Sequence, residues 1–112
     1  MRYKGTVQEG RKIAQKLGFP TVNVDMDDKT VSGIFAAMVY FDGKEYPAAA
    51  YADAPRNFLE AHVLDENLDL YGKEIEIELL KKIRDDQQFP DEASLKAAIA
   101  QDVATIHDFF FE

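Results

Sequence analysis

At 112 residues, 46% of them hydrophobic and 12% aromatic, the chain is sized for a single domain (1–112) with a real core. Lacking cysteine, it has no disulfide, thiolate nucleophile or Cys-based zinc site, and its two histidines rule out a three-histidine metal centre. A net charge of −8 argues against binding nucleic acid or an anionic membrane; no window is apolar for long enough to span a bilayer, and no signal region follows Met1-Arg2-Tyr3-Lys4, so a cytoplasmic protein is expected.

Alternation of apolar and polar residues dominates the first two thirds of the chain. Tyr3 to Val7 reads as a first strand and Thr21 to Asp25 as a second. Ile34 to Phe41 and Glu45 to Ala52 flank Asp42-Gly43, the strongest hairpin signal in the chain. Ala48-Ala49-Ala50 is a small-residue segment of that hairpin, suited to close packing against the sheet. Phe58 to Leu64 is a further strand, followed by an acidic turn that closes at Tyr71-Gly72. Ile75, Ile77 and Leu79 then alternate with Glu74, Glu76 and Glu78, a strand with one buried and one solvated face. Beyond Pro90 the period changes: Leu95, Ile99, Val103, Ile106 and Phe110 recur at helical spacing, with Asp91 or Ser94 as cap. Sequential strands and one late amphipathic helix predict a closed or nearly closed antiparallel barrel.

Three segments carry chemistry. In Leu17-Gly18-Phe19-Pro20-Thr21-Val22-Asn23, Gly18 permits a turn, Pro20 sets the strand entry, and Thr21 and Asn23 share one face. A hydroxyl and an amide carbonyl there suit Mg²⁺ with nucleotide phosphates; an ordinary edge strand explains the same pattern. Alternation places Glu60 and His62 on the face opposite Ala61 and Val63, where a partly desolvated carboxylate can act as general base or simply face solvent. Between Gly5 and Gly18 the cations Arg11, Lys12 and Lys16 crowd together, Lys4 just before them, opposed only by Glu9, marking the place for an anion against an acidic background. The stretch has no Walker A spacing.

In this order the segments resemble the riboflavin kinase (flavokinase) family, including the kinase half of bifunctional bacterial FAD synthetases. Gly5-Thr6-Val7-Gln8-Glu9-Gly10 is similar to the opening G-x-V-x-x-G, and Leu17 to Asn23 to L-G-F-P-T-A-N, with Val22 for alanine. Glu60 to Asp65 resembles E-V-H-L-L-D, Asp69-Leu70-Tyr71-Gly72 matches D-L-Y-G, and Ile83 to Phe89 resembles I-R-x-E-x-x-F. The resemblance covers about Tyr3 to Phe110. It departs at Arg11 to Lys16, where the family carries further glycines, at Ala52 to Asn57, where its connection is longer, and at Asp86, which replaces a glutamate.

The resemblance implies a mainly β fold, a six-stranded antiparallel Greek-key barrel with a C-terminal α-helix. It implies transfer of the ATP γ-phosphate to the ribityl 5′-hydroxyl of riboflavin, giving FMN and ADP with Mg²⁺ as cofactor; the alternative is a non-catalytic flavin- or nucleotide-binding module on the same fold. Thr21 and Asn23 would then contact the metal, and Glu60 would be the catalytic base. Gly5, Gly10, Lys12, Lys16, Gly18, Pro20 and Thr21 would surround the nucleotide; Tyr71, Gly72, Arg84 and Phe89 would belong to the flavin loops. The expected partners are these small molecules, with no nucleic acid or membrane, for a monomer.

Overall fold

The computed structural model of the protein describes residues 1–10 and 13–112. The strands are β1 (Arg2–Thr6), β2 (Val22–Asp25), β3 (Gly33–Phe41), β4 (Lys44–Asp53), β5 (Phe58–Val63) and β6 (Glu74–Arg84). A single turn, α1 (Ile13–Lys16), precedes β2, and the chain ends in the long helix α2 (Glu92–Phe111). All pairings are antiparallel, in the order β1-β6-β3-β4-β5-β2. The run β6-β3-β4-β5 is a Greek key: three hairpin-connected strands with the fourth returned beside the first. The sheet curls until its edges meet, where the Gln8 amide donates to the Asn23 carbonyl at 2.8 Å. The mainly β, six-stranded, nearly closed barrel with one terminal helix is therefore present as the sequence predicts.

Local chemistry accounts for the elements. Asp42 and Gly43 both have positive φ, 52° and 74°, the mirror-image turn that matches the twist of β3 and β4. β5 alternates strictly: Leu59, Ala61 and Val63 are buried in the barrel, while Phe58, Glu60 and His62 are half-buried on its outside. β6 likewise buries Ile75, Ile77 and Leu79, and its outer glutamates meet β1 through Lys4–Glu74 and Arg2–Glu76 contacts of 3.2 and 3.4 Å. β6 runs on to Arg84, beyond the alternating segment, by slipping register against β3 at Ile34/Phe35 and Ala36/Ala37. Such bulges bend the strand and tighten the barrel. Gly33 sits at the first of these places with φ 112°, and a Cβ on it would stand 2.6 Å from the Arg84 carbonyl oxygen.

Two apolar clusters result. The larger fills the barrel, with Val24, Val39, Leu59, Ile75 and Ile77 at its centre. The smaller lies outside the barrel, where Ile106 of α2 is buried on Ala36 and Leu64, flanked by Ile34, Ala49, Val103 and Phe110. The alanine run explains the close approach: Ala48 and Ala50 point inward, and Ala49 offers only a methyl to the helix side. Burial of Ile106 contributes about 2–3 kcal/mol to this docking. Of the two candidate caps Asp91 serves, accepting from the Ser94 amide at 2.7 Å, a bond that holds its carboxyl below the usual range.

Candidate active site

The helix stripe is only half used for packing. Ile106 and Phe110 seal against the barrel, but Leu95, Ile99 and Val103 stand over a gap. The gap is a cavity of about 220 Å³ between α2 and the outer faces of β3, β4 and β5. Its floor is Ile34, Ala49, Ala50 and Tyr51; Phe19, Thr21, Glu60 and His62 form one wall, and Arg84, Asp86, Gln87 and Phe89 the other. A second cavity, of about 390 Å³, opens at the barrel seam between the segment Val7 to Gly10, the start of β2 and the loop Asn67 to Tyr71. Its polar lining is Gln8, Glu9, Gln15, Thr21, Asn23, Asn67, Asp69 and Tyr71. Thr21 lines both cavities.

β2 and β5 place the central residues. Their register sets Asn23 directly opposite Glu60, so the two side chains share one face of the pair. Asn23 is buried at 8% exposure, and a Cβ on Gly10 would lie 2.4 Å from its Nδ2 atom. Gly10 is thus the residue whose lack of a side chain admits the Asn23 carboxamide. The Thr21 hydroxyl and the Asn23 side-chain Oδ1 are hard ligand atoms at one cavity, which fits Mg²⁺: that ion keeps several waters and takes one or two protein ligands plus phosphate oxygens. Among the described residues no three His, Asp or Glu side chains gather into a metal cage of their own.

The far wall of the first cavity is held by charge. Arg84 donates Nε and one terminal nitrogen to the two Asp102 oxygens at 2.8 and 2.7 Å, a fork that ties β6 to α2. The pairing raises the Arg84 pKa further, and the guanidinium also lies 5.7 Å from the Phe89 ring centroid. The Tyr51 hydroxyl is 2.9 Å from an Asp86 oxygen and 3.3 Å from Asp53, which also meets the Arg56 guanidinium at 2.8 Å. Burial first, and then these carboxylates, push the Tyr51 phenol up. The fork and this link fix the Arg84–Phe89 segment at the cavity mouth.

The predicted residues divide unequally between the cavities. Glu60, Thr21, Arg84 and Phe89 meet at the first, and Gly10, Pro20, Thr21, Asn23 and Tyr71 at the second. Tyr71 is therefore separated from Arg84 and Phe89, with which the sequence reading grouped it. The reason is the loop's anchorage: the Gly72 amide donates to the Val7 carbonyl and Val7 to Lys73, which pins Tyr71 at the seam. Gly72 itself lines neither cavity.

Gly5 faces Val24 across the seam, where a Cβ would come within 3.2 Å of the valine Cβ, and Gly18 ends α1 with φ 95°, its amide donating to Gln15; neither lines a cavity. Lys4 is engaged with Glu74 on the outer face, Lys16 is exposed on α1, and Lys12 and Arg11 lie outside the described residues. Sequence reasoning passed over Asp102, Tyr51 and Phe19. Asp102 was detectable as the one acid on the inner side of the helix stripe, spaced three and four residues from Ile99 and Ile106.

Comparison with known proteins agrees with this architecture. A family model described as riboflavin kinase matches residues 1–110. The bifunctional riboflavin kinase/FMN adenylyltransferase of Escherichia coli K12 is 38% identical over 95% of this chain, and that of Pseudomonas fluorescens 35% over 92%. The chain spans 37% and 36% of those two relatives. Among solved structures, riboflavin kinase from Trypanosoma brucei superposes with a TM-score of 0.66 at 26% identity, covering 96% of this chain and 78% of that one. A Streptococcus pneumoniae structure titled a macrolide-efflux protein shares the fold, with a TM-score of 0.78 at 23% identity over 95% of this chain and 36% of its own. From its barrel topology, paired cavities and match over nearly its whole length, this chain belongs to the riboflavin kinase family.

Proposed function

We propose that the chain transfers the γ-phosphate of Mg·ATP to the ribityl 5′-hydroxyl of riboflavin, giving FMN and ADP. The observation that carries this reading is Thr21, which borders both cavities, with Glu60 and Asn23 facing each other beside it. The first cavity, walled by Phe19, Phe89, Ile99 and Val103, suits the flat apolar flavin, and the polar seam cavity suits the nucleotide. In this arrangement the ribityl chain extends from the first cavity toward Thr21.

Glu60 takes the proton of the 5′-hydroxyl as that oxygen bonds to the γ-phosphorus and the bond to the bridging oxygen of ADP breaks. Thr21 and Asn23 would hold the Mg²⁺, which when bound would neutralise phosphate charge. That neutralisation matters here, because the described lining of the seam cavity contains Glu9 and Asp69 and no lysine or arginine.

Chromatographic detection of FMN from riboflavin with Mg·ATP, run beside CTP and GTP, tests the reading. Glu60→Gln is expected to lower turnover by about two to four orders of magnitude, the usual contribution of a general base, while riboflavin still binds. Riboflavin binding without FMN formation under any of these donors would instead assign a non-catalytic flavin-binding module.

A further inference from the structure

The main-chain ladder between β2 and β5 begins at Val22 opposite Ala61. One step back, the antiparallel register would set Thr21 opposite His62, and Pro20, having no N–H, has nothing to donate to a ladder there. A side chain takes over at this point. His62 Nδ1 lies 2.7 Å from the Pro20 carbonyl oxygen. A carbonyl only accepts, so Nδ1 carries the hydrogen and donates. The neighbouring Phe19 ring meets the imidazole edge-on, centroids 5.6 Å apart. Opposite His62 on β4 stands Ala49, small enough to leave the ring free to reach the loop.

We propose that His62 is the positioning residue for Thr21: its Nδ1–H bond fixes the peptide immediately before Thr21 and so sets the hydroxyl where the two cavities meet. The inference rests on reading the seam cavity as the Mg·nucleotide site. It predicts that loss of the donor is felt at that cavity, although His62 itself lines the other one.

Two variants separate donor from ring. His62→Asn keeps an N–H near the Nδ1 position and loses the aromatic edge; His62→Phe keeps the edge contact with Phe19 and loses the donor. Mg·ADP and riboflavin affinities are measured by titration on the full chain, with KM and kcat for FMN formation alongside. His62→Phe is expected to weaken Mg·ADP about five- to tenfold, the effect of one lost hydrogen bond. His62→Asn is expected to bind Mg·ADP within about twofold of the parent. His62→Leu, which also lacks the donor, replaces the phenylalanine variant if that one does not fold. Parental Mg·ADP affinity in the donor-less variants, or equal loss in His62→Asn, would each overturn the positioning role. A parent protein that binds neither ligand would remove the functional reading itself, and this inference with it.

Discussion

Gly10→Ala perturbs the site through a single methyl group. The new Cβ would lie 2.4 Å from Asn23 Nδ2, 2.5 Å from Cγ and 2.6 Å from Oδ1. Non-bonded heavy atoms prefer about 3.5–4.0 Å, so something must yield by roughly 1 Å. The backbone is poorly placed to do so, because Gln8, two residues away, is bonded to the Asn23 carbonyl at 2.8 Å and Asn23 is paired with Glu60. The Asn23 side chain therefore leaves its position. Overpacking of this kind costs on the order of 1–3 kcal/mol, and a displacement of about 1 Å at a reacting centre lowers rates by up to about 100-fold. The expected outcome is roughly a ten- to hundredfold loss in Mg·ADP affinity or kcat/KM for nucleotide, with riboflavin affinity unchanged, since neither Gly10 nor Asn23 lines the first cavity. Calorimetric titration of Mg·ADP and fluorescence titration of riboflavin read the two sites separately. Because the methyl acts through Asn23, Gly10→Ala should add almost nothing in an Asn23→Ala background. A penalty that persists in that background, or a Gly10→Ala protein with parental nucleotide affinity, refutes the reasoning.

Asp102→Ala removes both acceptors of the Arg84 fork and is expected to lower stability in urea by about 2–3 kcal/mol, less than a fully buried pair because water reaches the guanidinium. Replacing both partners, Arg84→Met with Asp102→Leu, should recover most of that loss; a double variant as unstable as Asp102→Ala alone would show the charge pair was not the cause. Gly33→Ala forces a side chain onto a backbone at φ 112° and against the Arg84 carbonyl, and should cost roughly 2 kcal/mol or more in the same assay, whereas a neutral result would remove the bulge argument. Burial and the bond to Asp28 push the Tyr3 phenol up to about 12. A raised folded value favours the protonated form, so this contribution is complete below about pH 10, the unfolded value, and is lost as pH rises through 12. Urea midpoints between pH 8 and 12 should accordingly fall more steeply for the parent than for Tyr3→Phe, and parallel curves would contradict the assignment.

What could be read from the chain alone was whatever repeats locally. Alternation at Leu59–Val63 and Ile75–Leu79, the Asp42-Gly43 turn and the helical stripe from Leu95 to Phe110 each depend on neighbours a few residues away, and each reappears in the fold. The faces of Thr21, Asn23 and Glu60 were legible for the same reason, since period two fixes the side each occupies, whereas the pairing of β2 with β5 that sets Asn23 opposite Glu60 was not. What escaped depends on contacts between distant segments. The Arg84 fork needs a partner 18 residues on, the His62 bond one 42 residues back, and the separation of Tyr71 from Arg84 follows from where Gly72 meets Val7. The glycines show the limit most clearly. As sequence, Gly5 and Gly10 read alike, two small residues beside a cation-rich stretch, while Gly18 reads as a turn residue. In the fold Gly5 closes the barrel seam against Val24, Gly18 ends a helical turn, and only Gly10 borders a cavity, where it makes room for Asn23. A glycine records that a side chain is unwelcome; the neighbour that excludes it is set by the tertiary structure.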